Sequence, residues 1–573
     1  MANSKKSTES VEKVYSLFDK TELFVLDFSA LMFMADDRLL RWLAGSVSSG
    51  GKKVAVCKEF YRCYSIVAAS ENEKQKEIAK NARNFVSNIK KQGALVNDSR
   101  FRTSDALAKG LHANPSVTFI VGEFSEAAEE ICSYPDSKAN VFAVTYESKF
   151  YCASAREFAE KRNQGINSNP GNTKIIPINS IPGEGDAVRT RQGELFFLTK
   201  RVSKGAEGTV FFTDSEKYVC KIYHKGQMSV MRCEKLKLFE ERPVEYEGIC
   251  WPEKTVYTSD GLPVGYIMRK ASGKTVSSVF DGDEEVLANF PEWKRSDLIA
   301  VAIRILERIR YLHLLGVIAG DIRPQNIMID KDGTVHLIDM DSCQINDYPC
   351  PCGDEDYTPP ENQSKPFASF LRTYENEKFS CAVLAFNILF LGMHPYARKN
   401  GAETMAEEIA ARAFPYPKQN IGESPEAPVG GYDLIWNHLP QPLCEMFYEA
   451  FKEGNRPSLS ALLLMLDSYK NYLEENCTAA DALEQVSFYG YSEPVQEPPV
   501  IQAVTQPQVQ VPFQPQAAKK KNKVLPVILT VIALVLFFFA AIYFFACIDY
   551  YSANESFDFI QPIISLIEKI KTD

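Results

Sequence analysis

The stretch "GDIRPQN", Gly320 to Asn326, lies between an amphipathic segment and the apolar run "IMID". It places an acid, Asp321, and an amide, Asn326, on one short loop, with a proline between them that interrupts regular structure. Loops held between core segments are frequent locations of binding and catalytic residues. The segments on either side of this loop therefore decide which fold carries it.

The segment before the loop has the spacing of a helix with one buried face. Its apolar residues recur three or four positions apart behind the polar pair Ser296 and Asp297, which is typical of a helix start. The spacing predicts a helix that ends at Gly316 and buries Leu298, Ala302, Ile305, Ile309 and Leu312.

The segment after the loop predicts a β-hairpin. "IMID" and "VHLID" flank the turn "KDG", and the second strand ends at Asp339. Such a hairpin would bring Asp321, Asn326 and Asp339 to one mouth. A loop carboxylate can accept a proton from a hydroxyl group, whereas an amide oxygen and a second carboxylate suit a hard cation such as Mg²⁺.

Short strands are predicted further upstream, in "ELFFLTKRV", "GTVFFT", "YVCKIY", "KTVYT" and "PVGYIM". The turn in "VSKGAEGTVF" contains Gly205 and Gly208, where missing side chains would let backbone N–H groups approach phosphates. Lys221 lies at the end of the next strand. Glu234, in the helical segment "MRCEKLKLF", could pair with it.

The order of these features resembles the protein kinase fold over roughly residues 194–473. Further downstream, "YTPPE" resembles the A-P-E segment, "FSCAVLAFNILFLGMHPY" resembles the central helix of the C-terminal lobe, and Arg456 in "NRPSL" resembles the arginine that pairs with the A-P-E glutamate, here Glu361. The resemblance implies an α+β bilobal kinase-like domain, placed at residues 193–475, which uses ATP and Mg²⁺ and acts on a protein substrate.

The resemblance also implies a role for each matched residue. Asp321 would be the catalytic base, with Arg323 in place of the usual lysine two residues after it. Lys221, held by Glu234, would bind the α- and β-phosphates. Asn326 and Asp339 would hold Mg²⁺, and the phosphates would be covered by Ser203, Gly205 and Gly208.

Several positions depart from the usual kinase pattern. Ser203 replaces the first loop glycine, Ala319 and Gly320 replace the H-R pair, Asp341 stands where D-F-G has its glycine, and Glu377 replaces the first Asp of the central helix. The pattern resembles the divergent "GD"-type kinase-like domains of bacteria. It implies a Ser/Thr protein kinase, with a nucleotide-binding pseudokinase scaffold as the alternative. Without an arginine before Asp321, phosphorylation of the activation segment, residues 339–361, is not expected to control the site.

Residues 21–155 alternate strand-like and helical segments, which predicts an α/β domain with a parallel sheet. "LDFSALM" resembles the opening of PIN-type nuclease domains. The resemblance implies a divalent-metal site for phosphodiester hydrolysis, with RNA as the partner, formed by Asp27, Glu59, Asp105 and Glu123. A von Willebrand A-like domain is the rival, since "DFS" begins a D-x-S-x-S motif, although Leu31 stands at its second serine. A domain that only recruits partners is also compatible with the pattern.

Residues 524–548 contain no charged residue and are long enough to cross a membrane, which predicts a single C-terminal transmembrane helix. Lys519, Lys520, Lys521 and Lys523 flank its N-terminal side, so the positive-inside rule places the preceding domains in the cytoplasm and the tail, 549–573, on the other side of the cell membrane. Residues 1–20 are polar, 156–192 read as a linker, and 476–523 as a Pro/Gln-rich tether that favours self-association. The net charge of −10 argues against general coating of nucleic acid.

Overall fold

The computed structural model describes residues 11–34, 36–96, 109–166, 173–421 and 424–476. Asp105 and the segment 524–548 lie outside these ranges. Among the helices that the described ranges contain, none is long and apolar enough to span a membrane.

The first part of the chain is an α/β domain built on a six-stranded sheet of order β3-β2-β1-β4-β5-β6. The first five strands pair in parallel, as predicted, and β6 is antiparallel to β5. The strands are β1 Leu23–Leu26, β2 Lys53–Ala55, β3 Leu95–Val96, β4 Val117–Gly122, β5 Asn140–Val144 and β6 Phe150–Ser154. The apolar run of β4 is buried along its whole length, as expected for a central parallel strand.

Helices cover this sheet: α1 Val11–Lys20, α2 Phe28–Phe33, α3 Arg38–Gly50, α4 Lys58–Ala68, α5 Glu73–Lys91, α6 Glu126–Cys132 and α7 Ala155–Ile166. The domain is therefore longer at both ends than the predicted 21–155. Helix α1 belongs to it because Val14 and Phe18, four residues apart, are both buried. The Phe18 ring lies 4.8 Å from that of Phe24, centroid to centroid.

The second part begins with a closed antiparallel barrel of order β10-β12-β11-β7-β8-β9. Its strands are β7 Ala187–Thr190, β8 Leu195–Lys204, β9 Gly208–Thr213, β10 Tyr218–Tyr223, β11 Lys254–Tyr257 and β12 Pro263–Arg269. The five strands predicted here are all present. Strand β7 lies within the predicted linker, and it is ordered because it pairs with both β8 and β11 to close the barrel. Helix α8, Val230–Glu241, follows β10.

A larger helical lobe follows the barrel, which gives the predicted α+β arrangement of two lobes. Its helices are α9 Val276–Val279, α10 Asp283–Asn289, α11 Arg295–Leu314, α12 Tyr374–Leu389, α13 Met405–Ala410, α14 Tyr432–His438, α15 Gln441–Tyr448 and α16 Leu459–Asn476. Short strands accompany them: β13 Lys274–Thr275, β14 Val317–Ile318, β15 Ile327–Ile329, β16 Val335–Leu337 and β17 Gln344–Ile345.

Helix α11 is the predicted helix before the "GDIRPQN" loop, and it is buried on nearly all sides. It packs against α12 and α16 of its own lobe and against α4 of the first domain. The side chain of Asp297 accepts a hydrogen bond from the backbone N–H of Lys294 and closes the start of the helix. Gly316, just beyond its end, has a φ of 72°, a left-handed conformation that glycine adopts readily.

Candidate active site

The loop after α11 holds Asp321 in a fixed orientation. The side-chain nitrogen of Asn326 donates to Asp321 Oδ2 at 2.9 Å and to the backbone carbonyl of Asp321 at 3.0 Å. Asp321 Oδ1 is buried, accepts no hydrogen bond, and lies 3.4 Å from Arg323 Nε. Burial raises the pKa of Asp321, and the nearby Arg323 only partly offsets this effect. One carboxylate oxygen therefore remains to accept a proton.

Asp339 lies at the same pocket as Asp321 and Asn326, so the structure brings the three predicted residues together. The hairpin β15–β16 delivers Asp339, and a hydrogen bond of 2.9 Å from Ile338 N to Asn326 O ties the two segments. Because the amide nitrogen of Asn326 faces Asp321, its oxygen is turned the other way. A carboxylate and an amide oxygen are ligands that suit Mg²⁺, so Asp339 and Asn326 fit this ion.

Glu377 of α12 holds the backbone that precedes Asp321. Its carboxylate accepts hydrogen bonds from the N–H groups of Ala319, at 3.0 Å, and Gly320, at 2.8 Å. His313 Nε2 lies 2.9 Å from Glu377 Oε1. The longer glutamate side chain thus fixes the loop at the position where the kinase pattern has an aspartate.

Gly320 is required by its surroundings. Its φ is 78°, and a Cβ atom there would lie 2.7 Å from both Cβ and Sγ of Cys350. Beside it, Arg372 donates to the carbonyl oxygens of Cys350, at 2.8 Å, and Cys352, at 2.6 Å. The space next to Asp321 is therefore filled by the activation segment, which a guanidinium from outside that segment holds through backbone carbonyls.

Lys221 lies on β10 and is buried against two carboxylates. Its Nζ donates to Asp341 Oδ1 at 2.9 Å and to Asp339 Oδ1 at 3.2 Å. Burial opposes the charge on Lys221, but Asp341 and Asp339 outweigh it and raise its pKa. Burial would likewise raise the pKa of Asp341, whereas Lys221 and two tyrosine hydroxyls lower it to about 2. Both groups of this pair are therefore charged.

The structure does not bring Glu234 to Lys221. Glu234 is exposed on α8, and its carboxylate accepts a hydrogen bond of 3.3 Å from Tyr348. Adjacent helical residues point about 100° apart, so the next residue faces inward instead. Lys235 is buried and donates to the carbonyl oxygens of Ser342, at 3.0 Å, and Pro349, at 3.2 Å. Helix α8 therefore contacts the activation segment through Lys235. It makes no contact with Lys221 through Glu234.

The glycine turn lies between β8 and β9, as predicted, and Gly205 N donates to Gly208 O at 2.9 Å. A Cβ atom on Gly208 would lie 2.7 Å from the carbonyl oxygen of Ile222, so close packing on β10 accounts for this glycine. Gly205 has only one atom near its missing side chain, at 3.8 Å. Ser203 is exposed at the end of β8. Phosphate contacts from these three residues remain a prediction.

Three acids predicted for the first domain lie at the carboxyl end of the parallel sheet. Asp27 follows β1 and caps α2, accepting hydrogen bonds from the backbone N–H and the hydroxyl of Ser29. Glu123 follows β4 and accepts a hydrogen bond of 3.0 Å from Tyr151. Glu59 lies in the first turn of α4. Among the described residues, no group of three or more acidic, histidine or cysteine side chains is arranged to hold a metal ion.

A guanidinium of the helical lobe occupies this acidic region. Arg310 of α11 forms an ion pair with Glu59, and its Nη1 lies 3.6 Å from Glu126 Oε2. Lys378 of α12 is 3.4 Å from Glu126 Oε1. Burial alone would raise the pKa of Glu126, but Lys378 and Arg310 reverse this and lower it. Two cations of the helical lobe thus compensate acids of the first domain at the contact between them.

The two lobes and the cleft that holds Lys221, Asp321, Asn326 and Asp339 define a protein kinase-like fold. Glu361 and Arg456 complete the pattern with two hydrogen bonds of 2.7 Å each, as the resemblance implied. Residues 277–444 match the family model of the protein kinase domain. This chain therefore carries a protein kinase domain, and the match begins after the strand that bears Lys221.

Several kinases are similar to this chain. Protein kinase YegI of Escherichia coli strain K12 is 30% identical over 315 residues, which cover 51% of this chain and 47% of that protein. The YegI protein of Escherichia coli O157:H7 is 29% identical over 313 residues, with the same coverage. Serine/threonine-protein kinase PknG of Mycobacterium leprae strain TN is 32% identical over 104 residues, 18% of this chain and 13% of its own length. The chain spans about half the length of its E. coli relatives.

Proposed function

We propose that this protein transfers the γ-phosphoryl group of MgATP to a serine or threonine hydroxyl of a protein substrate. The observation that carries the proposal is the single cleft in which Lys221, Asp321 and Asp339 converge with Asn326. The order of these residues along the chain and the similarity to named protein kinases support it.

Each residue has a role in the transfer. Lys221 would pair with the α- and β-phosphates, and Asn326 and Asp339 would hold Mg²⁺, which when bound neutralises charge on the phosphate oxygens. Asp321 would accept the proton of the substrate hydroxyl while the hydroxyl oxygen bonds to the γ-phosphorus of ATP. The bond between the γ-phosphorus and the β-phosphate oxygen breaks at the same time, which releases ADP. Arg323, beside Asp321, would stabilise the base and the transferred group.

The acceptor class is tested by incubating the purified chain with γ-labelled ATP, Mg²⁺ and a mixture of protein substrates. We expect label in protein and, after acid hydrolysis, in phosphoserine or phosphothreonine. Label in phosphotyrosine alone would contradict the acceptor class. Binding of MgATP with no label in protein would favour a nucleotide-binding scaffold.

We also propose that residues 524–548 anchor the chain in the cell membrane, with the kinase domain in the cytoplasm. The uncharged length of this segment and the lysines before it support the proposal. Deleting 524–548 should move the protein from the membrane fraction to the soluble fraction and lower substrate phosphorylation in cells, with unchanged turnover by the purified chain. Retention of the deletion variant in the membrane fraction would contradict the anchor.

A further inference from the structure

Lys221 has a different partner from the expected Glu234, because its amine donates to Asp341 and Asp339 instead. Lys221 contacts two carboxylates that differ in environment. The side chain of Asp341 is only 3% exposed, whereas that of Asp339 is 43% exposed and faces the pocket shared with Asp321 and Asn326. The buried carboxylate is the closer of the two to the Lys221 amine.

Two tyrosines hold Asp341 in place. Tyr223 donates to Asp341 Oδ2 and Tyr266 donates to Asp341 Oδ1, each at 2.7 Å. Tyr223 lies two residues after Lys221 on β10 and so faces the same side of the strand, and Tyr266 is directly opposite Lys221 on β12. The lysine, its carboxylate partner and both hydroxyls thus form one buried network on two paired strands.

We propose that Asp341 is the positioning residue of Lys221 and takes over the task expected of Glu234. The proposal rests on the proposed kinase function and deepens it. Asp339 has a second task, since a cation in the cleft would draw on its carboxylate. Asp341 has none, because its two oxygens are already used by Lys221 and the two tyrosines. Lys221 would therefore keep Asp341 as a fixed partner when Asp339 contacts Mg²⁺.

The division of tasks between Asp339 and Asp341 also explains why the triplet "DMD", residues 339–341, ends in an acid. Asp341 lies in the 3-10 turn Met340–Ser342, which brings it back beneath the barrel, close to Lys221. A buried carboxylate is costly unless it is paired, and here the ammonium and two hydroxyls satisfy it. The position of α8 is then not needed to place Lys221, which is consistent with the exposed Glu234.

The test compares Asp341→Asn with Glu234→Gln in the purified chain, with Tyr266→Phe as a milder variant that removes one hydroxyl. Two measurements do not depend on phosphoryl transfer. The first is labelling of the Lys221 amine by an amine-reactive reagent without nucleotide, located by mass spectrometry. The second is the Kd for MgATP. The turnover number, kcat, is measured as a third quantity.

We expect Asp341→Asn to label Lys221 about tenfold faster, because the amine loses the hydrogen-bond partner that holds it in the buried network. We expect it to weaken MgATP binding about tenfold and to lower kcat about 10²-fold, the effect of a misplaced phosphate-binding group. Tyr266→Phe should shift all three quantities in the same direction by less, and Glu234→Gln should leave them within about twofold of the wild type.

A loss of kcat and MgATP affinity in Glu234→Gln, with Asp341→Asn unaffected, would overturn the proposal. If Asp341→Asn does not fold, Tyr266→Phe and Glu234→Gln decide by the same criteria. If the wild-type chain binds MgATP but transfers no phosphate, the proposed kinase function is refuted and the role of Asp341 is not. Lys221 labelling and the Kd for MgATP then test that role by themselves.

Discussion

At the scale of single residues, the absence of the usual arginine before Asp321 has a steric explanation. Gly320 occupies a left-handed conformation and faces Cys350 at a distance that leaves no room for a side chain. Gly261 offers a matched comparison, since its φ is 76° and nothing lies within 4 Å of its missing Cβ. The two glycines separate the cost of the backbone conformation from the cost of the contact.

We predict that Gly261→Ala lowers the free energy of unfolding by about 1 kcal/mol, the cost of placing alanine in a left-handed conformation. Gly320→Ala should cost more, about 2–4 kcal/mol, because the new methyl group also displaces Cys350. Urea unfolding of both variants measures the difference. Equal losses would show that Cys350 does not constrain the loop.

Asp321 links the chemistry of the site to its stability. Burial raises the pKa of Asp321 above its value in the unfolded chain, so the charged form is disfavoured by folding at neutral pH. We predict that Asp321→Asn unfolds at a higher Tm than the wild type at pH 7.5. The difference should shrink as the pH falls towards the raised pKa, because the folded wild type then takes up the proton first. A lower Tm for the variant at neutral pH would contradict the burial argument.

The sequence was sufficient to predict that Asp321, Asn326 and Asp339 gather in one pocket, because they are close along the chain and one hairpin joins them. It was not sufficient for the partner of Lys221. That contact depends on the rotation of α8 and on the turn at Asp341, which are set by tertiary packing. A signal was nevertheless present, since an acid at a position that usually holds glycine must find a partner once it is buried.

At the scale of elements, the activation segment is held by cations from neighbouring elements. Lys235 of α8 and Arg372, just before α12, both donate to its backbone carbonyls. The hydroxyls of Ser342 and Thr358 donate to the carbonyls of Asp339 and Asp354. The acceptors for both cations are therefore neutral backbone carbonyls.

We predict that phosphatase treatment leaves the turnover of the purified wild-type chain unchanged. Arg372→Gln should lower it about tenfold, because it removes two charge-assisted hydrogen bonds that position the segment. Arg189→Gln, which changes an exposed arginine of β7, is the control and should retain wild-type turnover. A severalfold loss of turnover after phosphatase treatment would restore control by phosphorylation.

Among the elements, the strands of the barrel and helix α11 were predictable because their apolar residues follow simple periods. Helix α1 and strand β7 were not. Among the residues of α1 whose burial is described, Val14 and Phe18 are buried and Leu17 is partly buried, too short a pattern to stand out in a polar segment. Strand β7 has four residues and becomes regular only through its two neighbours in the barrel.

At the scale of the whole molecule, the first domain and the helical lobe are joined by ion pairs and a hydrogen bond, of which the pair Arg310–Glu59 is buried. Arg310 of the helical lobe pairs with Glu59 of the first domain. Arg62 of the first domain pairs with Glu307 and Asp467 of the lobe. The hydroxyl of Tyr374 donates a hydrogen bond of 2.6 Å to the backbone carbonyl of Phe124.

The structure places three of the four predicted acids, Asp27, Glu59 and Glu123, at the edge of the parallel sheet, and the fourth, Asp105, lies outside the described residues. The sequence pattern could not show that the cation facing Glu59 is an arginine more than 200 residues away along the chain.

We predict that Arg310→Met lowers the free energy of unfolding by about 3–5 kcal/mol, because it leaves Glu59 buried without its cation. The double variant Arg310→Met with Glu59→Gln should recover part of this loss, which urea unfolding of the singles and the double would show as a coupling. Strictly additive losses in the double variant would contradict the pairing of Arg310 with Glu59.

Millimolar Mn²⁺ should not raise the Tm of the wild type, since Arg310 lies beside the carboxylate of Glu59 that the ion would need.

The central claim is that Asp321 and the groups around it transfer phosphate from ATP to protein. The most direct measurement is the rate at which the purified chain transfers label from γ-labelled ATP to protein in the presence of Mg²⁺, with the wild type beside Asp321→Asn. We expect phosphoprotein from the wild type and a rate at least about 10²-fold lower from the variant, the usual contribution of a general base. Equal rates for the two proteins, or MgATP binding without any transfer by the wild type, would contradict the claim.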